Sequence, residues 1–410
     1  LFRANTLRDP VADNALPEIH DTNRLLNVSK SVPPTAAIDA ALDVLAAAKV
    51  PVIVAGNGVR ISHASETLAA LADLLGAPVV TSVLGKSAIA ETHDMAAGPM
   101  GYTGLPLANE IVGMADTILV VGCRLKPQDT CFEHPQMFDP NRQRIVQIDI
   151  EPRNASWTIP AEVALAGDAD ETLQLLLAGL EGRIDTPTAS ARRKALTDLK
   201  AARKFFADPM LASANVPIAP QRLVAEIHAA VPAEAVVCTD AGSNRHWMNH
   251  FFQTRRPNSY FGSGGLGGVS WSLPAALCAK ILDPTRPAIG ICSDGGFAMQ
   301  MHVLLTAVQY GANPVYVVMN NSRLGMTAEG MGNQSHGNDF PDTDYAAIAR
   351  ACGAWAERIE NPADIGDALR AGLAQDKPAV IDVIIDRSES MRQAIYSPLA
   401  IEAARGMRPE

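Results

Sequence analysis

The chain has 410 residues, of which 48% are hydrophobic and 19% are charged, and this composition is typical of a globular protein with two or three domains. Its formal net charge of -10 argues against a nucleic-acid partner, because no large basic cluster offsets phosphate repulsion. The six cysteines lack metal-ligand spacing, and no apolar run approaches the roughly 18 residues of a membrane span. These features predict a reduced, cytoplasmic protein.

Residues 1–34 carry scattered charges, Asn and Pro without a sustained apolar period, and they end in Ser-Val-Pro-Pro. This pattern predicts an extended connecting segment rather than a folded unit. An irregular arm of this length is expected where a chain starts at the end of an upstream domain.

From residue 35 onward, apolar runs of strand length alternate with amphipathic segments of helix length. Strands are predicted at residues 52–55, 79–82, 117–121 and 145–150. Strands that alternate with helices form a parallel sheet with helices on its faces. The sequence therefore predicts a doubly wound central α/β domain over residues 35–182.

A glycine-rich stretch in this domain contains Gly98, Gly101 and Gly104. The three glycines could cradle a phosphate group, or they could serve as turn glycines in a purely structural domain. No aromatic or charged signature accompanies them, and a glycine cluster alone is a weak motif. The structural interpretation is favoured, and FAD is not expected in this domain.

Residues 183–216 form an alanine-rich, basic segment that is predicted to link two domains. A run of like charges is most often a solvated face, so its arginines and lysines are expected to point into solvent. A basic patch for an acidic partner is the less favoured alternative.

The same alternation returns in residues 217–410, which are predicted to form a second doubly wound α/β domain. Its strands are predicted at residues 235–239, 288–292, 315–319 and 378–384. The amphipathic tail from Ser388 is expected to pack over the site or over a neighbour.

Two histidines of this second domain, His246 and His250, have the spacing of paired metal ligands on a short helix. No third ligand is nearby in the sequence, and this spacing is common by chance. Packing or surface roles are therefore favoured over a metal site.

Polar residues follow two neighbouring strands of this domain, at Asp294 and at Asn320-Asn321. Ligands bind at the carboxyl ends of strands in open parallel sheets. Asp294 offers a carboxylate and Asn321 an amide oxygen, and these are ligands that Mg²⁺ prefers. A tight turn at Gly295 and Gly296 would let backbone N–H groups approach a phosphate. The pattern predicts a site for Mg²⁺ and a diphosphate.

This motif resembles the signature of the thiamin-diphosphate (ThDP) enzymes, which is Gly-Asp-Gly, a spacer in the mid-twenties, and Asn-Asn. Ser293 stands where the family usually has glycine, and residues 296–319 form the spacer. The resemblance implies ThDP and Mg²⁺ as cofactors, with Asp294, Asn321 and the backbone carbonyl of Arg323 as the protein ligands of the metal.

The resemblance also implies further cofactor contacts. Ser243 and Asn244, which follow Gly242, would contact the diphosphate, as would the Ser293–Gly296 turn. Val269 would hold the cofactor in its bent conformation, and the carbonyl of Gly267 would accept a hydrogen bond from the aminopyrimidine. Within the Ser293–Gly296 turn the implied cofactor-binding residues are Ser293, Gly295 and Gly296, and Leu324 is one further implied position.

In this family a third, pyrimidine-binding domain supplies a glutamate that protonates the aminopyrimidine ring. That domain is expected to be absent from this chain, because no glutamate of the chain stands in the matching setting. The glutamates considered are predicted at exposed positions of the other two domains: Glu66, Glu91, Glu110 and Glu226. The catalytic residue is therefore unknown here. We expect a separate chain with the pyrimidine-binding domain, in a two-fold heterotetramer or larger assembly.

The implied function is ThDP- and Mg²⁺-dependent cleavage or formation of a C–C bond on a 2-oxo acid or acyloin, by a lyase or transferase. The sequence most resembles the acetolactate-synthase and benzoylformate-decarboxylase branch of the family. Its motifs are shared by decarboxylases, lyases and carboligases, and they do not distinguish these activities. The alternative is a non-catalytic regulatory module that binds a nucleotide or ThDP. The missing glutamate favours that alternative, and the intact Asp294 and Asn321 oppose it.

Overall fold

The computed structural model describes residues 29–406, so most of the predicted N-terminal connecting segment lies outside the described residues. The described residues form two six-stranded sheets in which every strand pair is parallel, with helices around them. The predicted fold class, two doubly wound α/β domains, is confirmed. Among residues 29–406, no helix combines the length and the apolarity that crossing a bilayer requires.

The first sheet has the strand order β3-β2-β1-β4-β5-β6. Its strands are Pro51–Ala55 (β1), Val79–Thr81 (β2), Ala96–Pro99 (β3), Thr117–Val121 (β4), Arg144–Asp149 (β5) and Val163–Ala166 (β6). Its helices are Thr35–Ala46, Asn57–Ile61, Ser65–Leu75, Pro106–Met114, Ala169–Leu180 and Thr186–Ala202. All residues of β1 and β4 are buried, because helices cover both faces of a parallel sheet.

The second sheet has the order β11-β12-β10-β9-β7-β8. Its strands are Val236–Thr239 (β7), Tyr260–Gly262 (β8), Ala288–Ser293 (β9), Val315–Asn320 (β10), Trp355–Ile359 (β11) and Ala379–Ile384 (β12). Its helices are Pro220–Ala230, Ser243–Phe251, Ser272–Leu282, Asp294–Gln300, Val303–Gln309, Gly325–Gly330, Tyr345–Ala351, Ile365–Leu373, Met391–Ala394 and Pro398–Gly406. Separate hydrophobic clusters fill its two faces.

Four strands are absent from the sequence-based prediction, and they are the two edge strands of each sheet: β3, β6, β8 and β11. Edge strands are short or partly solvated, so they lack the continuous apolar run that reveals an inner strand. Strand β11, for example, carries an exposed Glu357 beside Arg358. The inner strands were predicted to within about one residue at each end.

The basic segment after the first domain forms the helix Thr186–Ala202, and some of its cations face the first domain rather than solvent. Arg192 donates hydrogen bonds to the carbonyls of Leu75 (2.8 Å) and Lys49 (3.2 Å), and Arg193 donates to that of Asp73 (2.8 Å). Carbonyls at helix C-termini lack partners within their own helices, and basic side chains satisfy them. The predicted solvent exposure is therefore wrong for Arg192, Arg193 and Lys200, whereas Lys194, Arg203 and Lys204 are exposed.

Glu91, which was predicted to be exposed, is buried between the two domains. Its carboxylate accepts a hydrogen bond from the Thr254 N–H (2.7 Å), and its own N–H donates to the Thr254 carbonyl (2.8 Å). Lys86 supplies the compensating charge. A buried carboxylate needs a partner of opposite charge, and Lys86 of the same domain provides it. The hydrogen bonds between Glu91 and Thr254 link the first domain to the second.

The C-terminal tail returns to the first domain. The Tyr396 ring stacks at a tilt on Tyr102 with 4.3 Å between the centroids, and the Ser397 N–H donates to the Tyr102 carbonyl (2.8 Å). Ala400 is fully buried in the hydrophobic core of the first domain. The amphipathic tail therefore packs against its own chain.

Candidate functional site

The two polar strand ends lie side by side. Strands β9 and β10 pair in register, with Met319 opposite Ser293, so Asp294 and Asn321 both project from the carboxyl edge of the second sheet. The sequence predicts a turn at residues 293–296, but the helix begins at Asp294 itself. The chain between β9 and β10 forms two short helices, Asp294–Gln300 and Val303–Gln309.

Asp294 is fully buried, and its carboxylate accepts hydrogen bonds from backbone N–H groups. Oδ1 accepts from Gly295 (2.7 Å) and Oδ2 accepts from Arg323 (3.1 Å). Within residues 29–406, no lysine or arginine forms an ion pair with it, and burial raises its pKa. Asp294 is therefore a buried carboxylate without a compensating cation.

The two consecutive asparagines have different environments. Asn320 is buried, its Nδ2 donates to Asp382 Oδ1 (2.9 Å), and its Oδ1 accepts from the Ser322 N–H (3.1 Å). The Asn321 side chain lies beside Gly325 and lines an open cavity. The first asparagine thus holds the strand end, and the second presents its amide to the cavity.

Arg323 reaches the site through its backbone, since its N–H donates a hydrogen bond to Asp294. Its side chain turns away and pairs with Asp339, with 2.6 Å between Nε and Oδ1. Its carbonyl, the predicted third metal ligand, accepts a hydrogen bond from the Gly325 N–H (2.9 Å) and keeps a second lone pair.

The glycines at the start of the helix serve close packing. A Cβ at Gly296 would collide with Asp240, and a Cβ at Gly295 would lie 3.0 Å from Leu324. The Gly296 N–H already donates to the Ser293 hydroxyl, and the Gly295 N–H already donates to the Asp294 carboxylate. Their use as donors to a diphosphate therefore stays a prediction that requires these bonds to be exchanged.

Strand β7 brings the third part of the site. Ser243 begins the helix Ser243–Phe251 and lines the same cavity as Asn321. Asn244 is fully buried, its Nδ2 donates to the Ala241 carbonyl (3.2 Å), and its Oδ1 has no hydrogen-bond partner within the described structure. An unpaired buried amide oxygen is costly, and a hydrogen-bond donor or a cation bound beside it would relieve that cost.

The loop between β8 and the helix Ser272–Leu282 carries Gly267 and Val269. Gly267 has a φ of 66° and open space around its Cβ position, and the Val269 side chain is 44% exposed. Leu266 is fully exposed and Leu324 is 38% exposed. We call this set of exposed apolar residues, with the neighbouring Gly267, the open apolar face.

Sequence reasoning missed Asp240, the last residue before the Ala241-Gly242-Ser243-Asn244 stretch. It is fully buried and accepts hydrogen bonds from the N–H groups of Ala241 (2.8 Å), Ser270 (2.8 Å) and Trp271 (2.9 Å). Its signal in the sequence is an acidic residue at a strand end, directly before a glycine turn.

A cavity of about 320 Å³ lies at this carboxyl edge. Its lining includes Ser243, Asn321, Arg323, Gly325 and Glu329, together with the chain that follows β12. Hydroxyl and amide groups from two strand ends therefore face one space, beside the buried carboxylate of Asp294.

The two histidines of the helix Ser243–Phe251 pack against the first domain. His246 Nδ1 lies 2.9 Å from the Thr103 hydroxyl, and His250 Nδ1 lies 3.2 Å from the Thr103 carbonyl oxygen. Burial lowers the pKa of His250 to about 4. The two contacts with Thr103 agree with the packing interpretation of these histidines.

The glycine-rich stretch of the first domain is closely packed. A Cβ at Gly98 would collide with Leu105, one at Gly101 with the Gln128 carbonyl, and one at Gly104 with Met100. This close packing agrees with the structural interpretation of these glycines.

These residues fit a divalent cation and a diphosphate. The buried carboxylate of Asp294 has no ion-pair partner among residues 29–406, and a hard divalent cation would stabilise its ionised form. The amide of Asn321 and the carbonyl of Arg323 are oxygen ligands of the kind such a cation prefers. The hydroxyl of Ser243 can donate to a phosphate oxygen.

Comparison with known proteins finds two matching family models. The thiamine pyrophosphate enzyme central domain matches residues 38–176, and the thiamine pyrophosphate enzyme C-terminal TPP binding domain matches residues 240–383. The first match falls on the first sheet and the second match on the second sheet with the strand ends described above.

The chain is similar to three kinds of curated relative. It is 31% identical to a probable acetolactate synthase large subunit of Methanococcus aeolicus, over 86% of this chain and 61% of the relative. It is 28% identical to a sulfoacetaldehyde acetyltransferase of Castellaniella defragrans (89% and 66%). It is 31% identical to a probable 2-ketoarginine decarboxylase of Pseudomonas aeruginosa (90% and 64%).

The chain thus spans less than two thirds of the length of these relatives. Both domain models match in the order and at the positions of the two parallel sheets. The chain belongs to the thiamine pyrophosphate (ThDP) enzyme family, of which it carries the central domain and the C-terminal TPP-binding domain.

Proposed function

We propose that this chain forms the central and diphosphate-binding parts of a ThDP- and Mg²⁺-dependent enzyme that cleaves or forms a C–C bond on a 2-oxo acid or acyloin. The observation that carries this proposal is Asp294, a fully buried carboxylate without an ion-pair partner within residues 29–406, beside the cavity that Asn321 lines. The similarity to a 2-ketoarginine decarboxylase and to an acetolactate synthase large subunit supports a 2-oxo acid as substrate.

Each residue has a defined task in this proposal. Asp294, the Asn321 amide oxygen and the Arg323 carbonyl hold Mg²⁺, and Ser243 and Asn244 bind the diphosphate. Ser293, Gly295 and Gly296 shape the turn around it. When bound, ThDP supplies the nucleophilic carbon that attacks the substrate carbonyl. The chain contributes anchoring and orientation, and these account for a large share of enzymatic rate.

Val269 and Gly267 are proposed to contact the rings of the cofactor. Both lie on the open apolar face, with Leu266 and Leu324 around them. Exposed apolar surface of this kind marks a binding site. We propose that a pyrimidine-binding domain covers it and brings the catalytic glutamate, in a heterotetramer with two-fold symmetry. Glu91 does not serve, because Lys86 and Thr254 occupy its carboxylate.

Calorimetric titration of ThDP into the purified chain, with Mg²⁺ or with EDTA, tests the cofactor assignment. We expect binding with Mg²⁺ only, and a loss of at least about 100-fold in affinity for Asp294→Ala, because this variant removes the anionic ligand. Asp283→Asn is the matched control, because Asp283 lies in an exposed turn before β9, at the opposite edge of the sheet.

The outcomes separate the parts of the proposal. Wild-type affinity in Asp294→Ala would remove the metal assignment, and absence of ThDP binding by the wild-type chain would remove the proposed function. Light scattering during size-exclusion chromatography, with and without a glutamate-bearing pyrimidine domain, tests the partner. A stable monomer that turns over a 2-oxo acid unaided would contradict the assembly.

A further inference from the structure

Asp240 connects three segments of the site. An inference about its part in cofactor binding rests on the proposed function. Its carboxylate is fully buried at the end of β7. Oδ2 accepts from the Ser270 N–H (2.8 Å), and Oδ1 accepts from the Trp271 N–H (2.9 Å) and the Ala241 N–H (2.8 Å). One side chain thus holds the loop that carries Gly267 and Val269.

The same carboxylate lies against the Asp294–Gly296 segment. A Cβ at Gly296 would collide with Asp240 Oδ2, so only glycine permits this approach. Ser270, whose N–H binds Asp240, donates its hydroxyl to the Gly296 carbonyl. Ser270 has a φ of 72°, a left-handed conformation that the two hydrogen bonds hold in place.

We propose that Asp240 is a positioning residue that fixes the loop bearing Gly267 and Val269 relative to the Asp294–Gly296 segment. The ring-binding part and the metal-binding part of the cofactor site are then in register before ThDP arrives. Preorganisation of this kind increases affinity, because less conformational entropy is lost on binding.

An acid is required at this position for a chemical reason. Three N–H donors converge on the two oxygens, and a carboxylate is purely an acceptor, whereas an amide would turn an NH₂ group toward one of them. An unsatisfied buried N–H is costly enough to displace the loop. Nothing basic pairs with Asp240 within the described residues, so these backbone donors are its stabilising partners.

The test compares Asp240→Asn and Asp240→Ala with the wild-type chain, with Asp283→Asn as the matched control. Hydrogen–deuterium exchange reports the protection of the Ser270 and Trp271 amides without ThDP. Calorimetry reports the affinity for ThDP in the presence of Mg²⁺. Asp240→Asn conserves the side-chain volume, so it provides the test if Asp240→Ala does not fold.

We expect faster exchange confined to Ala241 and residues 263–273 in Asp240→Asn, and an affinity for ThDP that falls about tenfold. Asp283→Asn should match the wild-type chain in amide exchange and in affinity for ThDP. Unchanged exchange or unchanged affinity in Asp240→Asn would overturn the inference. If the wild-type chain itself fails to bind ThDP, the proposed function fails and the inference fails with it, and this result is distinct from a loss confined to Asp240→Asn.

Discussion

The Lys86 ammonium lies 2.6 Å and 2.7 Å from the two carboxylate oxygens of Glu91, and both side chains are inaccessible to solvent. The ammonium also lies 5.6 Å from the centre of the Tyr260 ring of the second domain. Because Thr254 of that domain binds the same carboxylate, the pair is part of the contact between the domains. Burial lowers the pKa of Lys86, and Glu91 opposes that effect.

Removal of one charge from this pair should destabilise the chain strongly. We expect Glu91→Gln to lower the free energy of unfolding by about 3 kcal/mol, because it leaves a buried ammonium unpaired. The double variant Lys86→Met/Glu91→Gln should recover part of that loss. Denaturant unfolding of the four proteins in the cycle measures both effects, and a single Glu91→Gln variant as stable as wild type would contradict the prediction.

The consecutive asparagines should respond differently to substitution. Asn321→Ala should lower the Mg²⁺-dependent affinity for ThDP by about 10- to 100-fold with little effect on stability, because its side chain faces the cavity. Asn320→Ala should lower the free energy of unfolding by about 1–3 kcal/mol, because it removes the buried donor to Asp382 Oδ1 and leaves only the Tyr345 N–H on Oδ2. Calorimetry and denaturant unfolding measure the two effects, and equal behaviour of the two variants would refute the division of roles.

Val269→Ala should reduce turnover more than cofactor affinity. Its proposed task is to hold the reactive conformer, so we expect the turnover number of the reconstituted enzyme to fall about tenfold. Affinity for ThDP should change by less than about threefold, because the phosphate contacts remain. Val50→Ala is the matched control, since Val50 is equally exposed, at 44%, and lies in the first domain. An unchanged turnover number would remove Val269 from the site.

Stability should fall as the pH drops below neutrality, in part through His250. The folded chain lowers the pKa of His250 to about 4, mainly by burial, whereas an unfolded histidine titrates near about 6.5. The unfolded state therefore binds more protons between these values. His250 contributes full stability above about 6.5 and loses roughly 3 kcal/mol of it as the pH falls to about 4.

The measurement is denaturant unfolding at several pH values for wild type and His250→Gln. Asp382, whose pKa burial raises to about 6, changes stability in the opposite sense, so only the difference between the two proteins isolates the histidine. We expect a shallower pH dependence in His250→Gln, and parallel curves would show that this histidine does not carry the effect.

The parts of the fold that the sequence reveals are those decided by local pattern. Strands β9 and β10 are continuous apolar runs, and Asp294 and Asn321 stand directly at their ends, so both strands and site residues could be predicted. Contacts between distant segments leave no such pattern. Glu91 and Thr254 are separated by 163 positions, and nothing near Glu91 in the sequence indicates that it is buried.

The same reason explains Asp240 and the basic helix. An acid before a glycine turn is visible in the sequence, but its three donors come partly from residues 270 and 271. Arg192 looks like any surface arginine until Leu75 and Lys49 are brought beneath it. The sequence shows where a charged side chain stands, but only the folded structure shows which group it pairs with.

The C-terminal tail has a topological consequence. The covalent connection between the domains runs once through residues 183–216. The packing of Tyr396, Ser397 and Ala400 on the first domain adds a non-covalent connection to those already made by Glu91 with Thr254 and by Thr103 with His246 and His250. The polypeptide therefore forms a ring through both domains. A protease that nicks the connector would leave the two halves joined, and removal of residues 390–406 would open the ring while the contact of Glu91 with Thr254 still holds the domains together.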